Sequence, residues 1–271
     1  MTIRYALGLE YDGGPYYGWQ TQRQTPTVQS CVEQALAKVA DQAVTVVCAG
    51  RTDTGVHALD QVVHFDSPVE RSPRSWVLGC NSNMPDSITA LWARPVNDDF
   101  HARFSAITRT YQYRIYNRWV RPALLRKLTA WIRKPLNENQ MDAAAQCLLG
   151  EHDFSAFRAS GCQANHPVRE ITAIQVARDS EQVIIDITAN SFLYHMVRNI
   201  AGALIEVGKG ELPVGAIQNI LDSKNRSKAP MTAPAAGLYL LAVRYPAEYG
   251  VPATGEHLFP VGASEHKERA R

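Results

Sequence analysis

Two strand-like runs flank a polar loop: Ala43-Val44-Thr45-Val46-Val47-Cys48, then Gly50-Arg51-Thr52-Asp53-Thr54-Gly55-Val56-His57, then Gln61-Val62-Val63-His64-Phe65. The two outer runs are rich in β-branched residues, which is typical of strands. A hairpin turn takes only about two to five residues. The connection here is longer and carries five polar side chains within eight residues. Loops of this kind on a rigid scaffold are common sites of chemistry.

The same pattern continues on either side and predicts the order strand, helix, strand, strand, helix, strand for the first half of the chain. The predicted elements are residues 3–11, 28–40, 43–48, 61–65, 73–80 and 88–95. Thr27 is the expected N-cap of the first helix. Val28, Val32 and Leu36 recur at helical spacing and predict its buried face.

The second half predicts the same order. Its strands are expected at 110–116, 171–177, 183–189 and 238–245, and its helices at 141–149 and 194–207, with a short helix at 213–221. Asn137 followed by Gln140 resembles a capping box, and Gly150 is expected to close the helix that follows. Each half is therefore β-α-β-β-α-β, the ferredoxin-like or RRM-like pattern.

The predicted fold class is α+β. Two ferredoxin-like halves, residues 1–105 and 106–247, are expected to form one extended antiparallel sheet with helices on one face and an active cleft between the halves. The open face of such a sheet suits RNA. Residues 248–271 are rich in Gly, Pro and charge and are predicted to be a flexible tail.

Charge is unevenly distributed along the chain. Residues 101–134 contain nine Lys or Arg and no Asp or Glu. The rest of the chain holds the other 19 of the 28 basic residues and all 26 acidic residues. The same stretch carries six aromatic residues, namely Phe104, Tyr111, Tyr113, Tyr116, Trp119 and Trp131. Cations attract phosphates and aromatic rings stack on unpaired bases, so the stretch favours nucleic-acid binding over a merely solvated charged face.

Composition excludes several classes of protein. No apolar run approaches the roughly 20 residues that span a bilayer, and the N-terminus lacks the apolar core of a signal peptide. The five cysteines are odd in number and include no Cys-x-x-Cys pair, which argues against a disulfide framework and against a zinc site. No glycine fingerprint for ATP or NAD is present. We expect a cytoplasmic protein with no metal, no cofactor and no membrane partner.

Several polar residues are candidates for chemistry, and each also has a plainer interpretation. Asp53 is either a turn residue or an ionised nucleophile, and Arg51 lies close enough in sequence to support its charge. Asp60 is expected at the solvated end of the loop. Arg198 stands out on an apolar helix, and a buried arginine needs a carboxylate partner, for which Asp53 is the natural candidate. His195 is expected to be an ordinary hydrogen-bonding residue.

The residues alone are compatible with more than one role and more than one class of protein. Tyr111 and Tyr113 share one face of a strand, where aromatic rings are usually core, although one of them could face a base. The basic stretch is also compatible with a non-catalytic RNA-binding protein. A cysteine hydrolase that uses Cys162 and His166 is a third hypothesis, weakened by their placement in one loop without an obvious oxyanion donor.

Taken together, the motifs resemble the tRNA pseudouridine synthase A family. The matching segments are Tyr11-Asp12-Gly13, Gly18-Trp19-Gln20, residues 49–57, 61–65 and 100–106, Tyr111-Gln112-Tyr113, and residues 153–157, 196–199 and 237–240. They occur in family order and cover residues 3–245. The resemblance implies isomerisation of uridine to pseudouridine at nucleotides 38 to 40 of the tRNA anticodon stem-loop, by a homodimer without cofactor or metal.

The resemblance also implies roles for individual residues. Asp53 is then the catalytic aspartate, and Arg198 is the basic residue that pairs with it and keeps its pKa low. Tyr111 stacks on the target base, and Leu238 lines the uracil pocket. Arg51 contacts the phosphate backbone and helps keep the nucleotide flipped.

One position departs from the family pattern. A glycine is expected before Gln61-Val62-Val63-His64-Phe65, and this chain has Asp60. The change is expected to add a charge at the end of the polar loop, while leaving Asp53 as the motif match.

Overall fold

The computed structural model describes residues 2–252. The first half contains strands β1 (Ile3–Tyr11), β2 (Val47–Cys48), β3 (His57–Ser67) and β4 (Ile88–Pro95) and helices α1 (Val28–Ala40) and α2 (Pro73–Asn81). The second half contains strands β5 (Thr108–Asn117), β6 (Ala130–Ile132), β7 (Gly150–Asp153), β8 (Val168–Asp179), β9 (Gln182–Ala189) and β10 (Leu238–Arg244), and helices α3 (Glu138–Ala145), α4 (Met196–Gly208) and α5 (Ala216–Ser223).

All of these strands belong to one sheet. Its order is β4-β1-β3-β10-β5-β9-β8-β7, with β2 paired to β3 and β6 paired to β5. The order β4-β1-β3-β2 in the first half recurs as β10-β5-β9-β8 in the second, and both are the ferredoxin-like arrangement. The predicted α+β fold of two ferredoxin-like halves is confirmed.

The strand pairing that joins the halves is parallel, whereas the sequence predicts antiparallel pairing throughout. Tyr239 pairs with His57 and Leu240 with Ala58. This pairing is possible because β2 is short and covers β3 only at His64 and Val63. The beginning of β3 therefore keeps unpaired backbone groups that β10 can satisfy.

Local signals are reproduced well where a helix begins. The Thr27 side chain accepts a hydrogen bond from the Ser30 amide and caps α1, and Asn137 accepts one from the Gln140 amide and caps α3. The end of α3 differs from the prediction. The α-helix stops at Ala145, and Gly150, with φ of +90°, begins strand β7 instead of closing the helix.

The strands around the polar loop also differ from the prediction. The first is only Val47–Cys48, and the second is longer, His57–Ser67. Before β2, the Val46 amide donates to Glu33 Oε1 of helix α1 at 3.1 Å, so a side chain takes the place of a strand partner. At the other end, β3 begins at His57 because β10 pairs with it.

The helices pack on one face of the sheet. In the first half, the ring of Tyr5 stacks on Phe65 with 5.6 Å between centroids, and both rings contact Trp76 of α2. In the second half, the buried residues of β8 lie on the face that α3 covers, while intervening residues such as Glu170 and Gln175 are exposed. Tyr111 and Tyr113 lie on this helix-bearing face as well, opposite Leu240 and Leu238 of β10.

The predicted flexible tail falls partly within the structure. Tyr249 packs against Phe100, with ring centroids 5.2 Å apart, and Val251 contacts the core. This beginning of the segment therefore packs on the folded body, where its apolar side chains are half-buried. Residues 253–271 lie outside the described residues. Within residues 2–252, no helix has the length and hydrophobicity needed to cross a membrane.

Asp60 does not lie at a solvated end of the loop, and that expectation is wrong. It is fully buried inside β3, and its Oδ2 accepts a hydrogen bond from the Val243 amide of β10 at 3.3 Å. The carboxylate thus satisfies a backbone group just beyond the short β3–β10 pairing. It acts as part of the junction between the halves.

Replacing Asp60 by Ala is expected to lower the free energy of unfolding by about 2 kcal/mol, because the buried Val243 amide loses its side-chain acceptor. Urea denaturation checks this. The matched control is Asp66→Ala on the same strand, where the carboxylate is 47% exposed beside Arg4 and should matter less. Equal effects for the two variants would contradict the bridging role.

Candidate active site

The loop that carries Asp53 is held on three sides. The Trp19 amide donates to Thr52 O at 2.9 Å, and Tyr11 Oη lies 2.8 Å from Thr52 Oγ1. Gln61 Nε2 donates to Gly50 O at 2.6 Å. Gly18, with φ of +85°, lies so close that a Cβ there would be 2.8 Å from Thr52 O. These contacts make the loop a rigid support for the Asp53 side chain.

A cleft of about 660 Å³ opens at the junction of the halves. All five predicted site residues line it, namely Arg51, Asp53, Tyr111, Arg198 and Leu238. The cleft therefore brings together residues that are separated by as many as 187 positions in the chain.

The cleft lies on the helix-bearing face, and not on the open face that the sequence suggested for RNA. Tyr111 and Leu238, which line it, point to the side that the helices cover. On the opposite face of the junction, Tyr239 Oη donates to Leu128 O at 2.6 Å and His57 Nε2 lies 3.1 Å from Lys127 O. The segment before β6 therefore covers that face at this point.

Asp53 belongs to a cluster of charged side chains. Its Oδ2 is 3.6 Å from Arg198 Nη1 and 3.3 Å from His195 Nε2. The predicted contact between Asp53 and Arg198 is present. Arg198 is itself fixed by a hydrogen bond from its Nε to Ala233 O at 2.9 Å.

His195 is the member of this cluster that sequence reasoning missed. It is the N-cap residue of α4 and has a left-handed backbone, with φ of 59°. Such a conformation is uncommon for a residue other than glycine and often marks a functional site. The available signal is its spacing of three residues from Arg198, which places both side chains on the same side of a helix end.

Burial raises the pKa of Asp53 above its ordinary value of 3.8, and the charges of His195 and Arg198 oppose that rise. The expectation of a lowered pKa is therefore wrong in direction, because removal of the carboxylate from water outweighs the nearby cations. Burial likewise lowers the pKa of His195, against the pull of the Asp53 charge. The carboxylate is thus poorly solvated, which favours reactivity.

Tyr111 and Tyr113 separate into two roles. The Tyr113 ring is fully buried, and its hydroxyl donates to Pro234 O at 2.8 Å, as a core residue does. Tyr111 lines the cleft and meets Phe192 edge to face, with ring centroids 5.0 Å apart. Burial, followed by the nearby Asp53 charge, raises the pKa of the Tyr111 phenol, so the hydroxyl is neutral.

Arg51 and Leu238 form separate parts of the cleft wall. Leu238 is buried and supplies apolar surface. Arg51 is exposed, and its Nη1 donates to Gln163 Oε1 at 3.4 Å. That bond reaches from the loop of the first half to a loop of the second half.

The basic stretch does not form a single open surface. Arg118 pairs with Glu181 at 3.3 Å and Lys134 with Glu211 at 2.6 Å. Arg109 is buried and donates to backbone carbonyl groups. Acidic residues distant in sequence therefore neutralise part of the stretch, while Arg121 and Arg126 remain exposed.

The cysteine hydrolase hypothesis gains no support from the geometry. Cys162 Sγ accepts a hydrogen bond from the Tyr194 amide at 3.5 Å, whereas His166 Nδ1 lies 3.4 Å from Arg169 Nη1. Each side chain thus contacts a different partner. Within residues 2–252, no group of three or more His, Cys, Asp or Glu is arranged to hold a metal ion.

A cleft between two ferredoxin-like halves, lined by a poorly solvated carboxylate, is typical of an enzyme rather than of a simple binding module. A family model described as tRNA pseudouridine synthase matches residues 9–105 and 144–246. The chain belongs to this family of isomerases. The hypothesis of a non-catalytic RNA-binding protein is therefore set aside.

Curated relatives agree with the family model. The tRNA pseudouridine synthase A of Legionella pneumophila (strain Lens) is 51% identical over 249 residues, which is 92% of this chain and 95% of that protein. The protein of the same name from Coxiella burnetii (strain Dugway 5J108-111) gives the same values. A solved Cbf5-Nop10-Gar1 complex aligns with 75% of this chain and 45% of its own at 11% identity, with a TM-score of 0.39, too low to support an argument.

Replacing Asp53 by Asn is expected to stabilise the fold at neutral pH. A raised pKa means that the folded state favours the protonated carboxyl. The resulting contribution of Asp53 to the stability of the wild type is complete below about pH 3.8 and is lost as the pH rises through the raised pKa. An amide is neutral throughout. The variant should therefore match the wild type near pH 3.5 and exceed its free energy of unfolding increasingly above about pH 4, as measured by urea denaturation.

Asp66→Asn is the matched control for this measurement. The hydrogen bond from Arg4 lowers the pKa of Asp66, so the same substitution there should destabilise the protein by an amount that is complete above about pH 3.8 and disappears as the pH falls through the lowered pKa. Opposite signs for the two variants are expected. A stability difference at Asp53 that does not depend on pH would contradict the burial argument.

Proposed function

We propose that this protein converts uridine to pseudouridine at nucleotides 38 to 40 of the tRNA anticodon stem-loop, with Asp53 as the nucleophile. Family membership supports pseudouridylation of tRNA as the general activity. The observation that carries the finer proposal is the Asp53 carboxylate itself. It lines the cleft, is only 22% exposed, and is held by Arg198 and His195.

The reaction rearranges one nucleotide without a net change in its atoms. The N1–C1′ bond breaks, the detached uracil turns, and a C5–C1′ bond forms. C5 loses a proton and N1 gains one. The Asp53 carboxylate attacks either C1′ of the ribose or C6 of the base, and both routes require the ionised form.

The neighbours of Asp53 suit this requirement. The charges of Arg198 and of protonated His195 oppose the rise in its pKa and so favour the ionised carboxylate. Because burial keeps the water shell of the carboxylate small, less solvation is lost when it attacks. The cluster thus combines reactivity with a usable protonation state.

Three more cleft residues would hold the target base. The neutral phenol of Tyr111 would stack on the detached uracil and help to remove its C5 proton. Leu238, which lines the cleft at the start of β10, provides an apolar contact. Arg51, at the exposed rim, contacts the phosphate backbone and helps keep the nucleotide out of the stack. Flipping costs a few kcal/mol and is easiest next to a loop.

We further propose a homodimer that acts in the cytoplasm. The homodimer is what the resemblance to the synthase A family implies. A cytoplasmic location agrees with the five free cysteines, since thiols persist in reducing compartments. Size-exclusion chromatography with light scattering on the full chain tests the first point.

Asp53→Asn is expected to abolish tritium release from tRNA labelled at uracil C5, with a loss of about 10³-fold or more, because no nucleophile remains. Binding of tRNA should persist, since the amide keeps the size of the side chain. Site-resolved mapping of pseudouridine on the same tRNA should show product at nucleotides 38 to 40 for the wild type alone.

Asp66→Asn, on β3, serves as the control for general effects of replacing a carboxylate by an amide, and it should retain activity. Appreciable tritium release by Asp53→Asn would refute the nucleophile assignment. Product at other nucleotides only would leave the enzyme class intact and overturn the proposed target.

The exposed part of the basic stretch is expected to contact tRNA phosphates. Replacing both Arg121 and Arg126 by Ala should weaken tRNA binding and reduce the slope of log affinity against log salt by about 0.7–0.9 for each phosphate that is no longer neutralised. Arg71 and Arg74, exposed at the start of α2, provide a matched double-alanine control with no expected change. An unchanged slope in the first variant would mean that Arg121 and Arg126 face away from the RNA.

A further inference from the structure

A second cavity adjoins the cleft. It has a volume of about 860 Å³ and lies in the second half of the protein. Four residues line both spaces, namely Gly161, Cys162, Tyr194 and His195. The two cavities are therefore neighbours that share His195, which contacts Asp53.

The second cavity is positively charged. Arg158 and Arg226 line it, and none of its described lining residues is Asp or Glu, although Asp53 and Asp153 contact the lining residues His195 and Ser155 from outside. The charge of Arg226 is close enough to contribute to the lowered pKa of His195. An anion entering this space would meet two guanidinium groups in the cavity wall.

Both guanidinium groups are held in place by neutral oxygens in the described part of the chain. Arg158 Nη2 donates to Cys162 O and Ala164 O, each at 2.8 Å. Arg226 donates to Ala229 O at 2.9 Å and to Asn199 Oδ1 and Thr232 Oγ1 at 3.1 Å. These bonds fix the orientation of each side chain without cancelling its charge. Preorganised arginines of this kind suit phosphate groups.

An aromatic ring lies on the boundary between the two cavities. Tyr194 is 44% exposed, and its ring lies 4.0 Å from the ring of His195. An exposed ring beside arginines is the combination that binds single-stranded nucleic acid, because bases stack and phosphates pair. The second cavity therefore has the chemistry of a nucleotide site rather than that of a site for a free apolar ligand.

The loop between Arg158 and Ala164 connects this site to the cleft. Arg158 closes the loop through its two carbonyl contacts, and Gln163 of the same loop accepts a hydrogen bond from Arg51. A nucleic-acid backbone that follows this loop would pass from Arg51 at one end to Arg158 at the other. Asp53, in contrast, repels phosphate from the centre of the cleft.

We propose that the second cavity binds a phosphodiester group of the RNA strand within two nucleotides of the target uridine, with Arg158 and Arg226 as its cationic wall and Tyr194 as a stacking surface for the adjoining base. The proposal rests on the function proposed above, since it needs an RNA strand whose target nucleotide lies in the cleft. It assigns the recognition of neighbouring nucleotides to the second half of the protein.

The test adds a charge instead of removing the arginines, because their hydrogen bonds also support the loop. Ser160 lines the cavity and is exposed. Ser160→Asp should weaken binding of unmodified tRNA by about fivefold or more and reduce the salt slope by about 0.7–0.9. Ser160→Asn, of matched size and no charge, should bind like the wild type.

A second measurement locates the phosphate. Single methylphosphonate linkages, placed in turn at the positions nearest the target uridine of a tRNA, remove one phosphate charge at a time. One linkage should weaken binding to the wild type, and at that linkage Ser160→Asp should cause little additional loss. Additive losses at every linkage would overturn the proposal, as would equal impairment of Ser160→Asp and Ser160→Asn.

These binding measurements are separable from the test of the proposed function. If the wild type forms no pseudouridine at nucleotides 38 to 40 and the Ser160→Asp effect persists with full-length tRNA, the target assignment fails and the cavity remains an RNA site. If pseudouridine forms and Ser160→Asp binds normally, the cavity proposal alone fails.

Discussion

The short pairing of β10 with the beginning of β3 is the constraint on which the site depends. Only two residue pairs are involved, Tyr239 with His57 and Leu240 with Ala58. They nevertheless place Leu238, at the start of β10, beside the loop that ends at His57. Because β10 also pairs with β5, the same contact brings Tyr111 to the cleft. Asp60 extends this junction with a side-chain hydrogen bond where the backbone pairing stops.

Opposing electrostatic effects meet at Asp53. Burial destabilises its charge, whereas Arg198 and His195 stabilise it, and burial is the larger effect. A carboxylate that was simply paired at the surface would be stable and unreactive, and one that was buried alone would be protonated. The cluster lies between these limits, and this balance is what we expect of a nucleophile. The strained backbone of His195 is consistent with such a site.

The elements that sequence predicts best are those set by local patterns. Helix α1 and strands β1 and β4 have the predicted bounds, because helix capping, helical spacing and β-branched runs are properties of neighbouring residues. Strands β2 and β3 differ from prediction, because their ends depend on Glu33 and on β10, which lie far away in sequence. The ion pairs of Arg118 and Lys134 could not be predicted from the sequence either, because their acidic partners are distant along the chain.

The sequence by itself determined the two ferredoxin-like halves, the polar loop with Asp53, and Arg198 as its partner, since an arginine on an apolar helix demands a carboxylate. Only the tertiary structure decided that the cleft lies on the helix-bearing face, that His195 joins the charged cluster, and that Asp60 is a buried bridge. It also decided the net direction of the Asp53 pKa. Desolvation depends on everything that packs around a group, and no local pattern of residues records that.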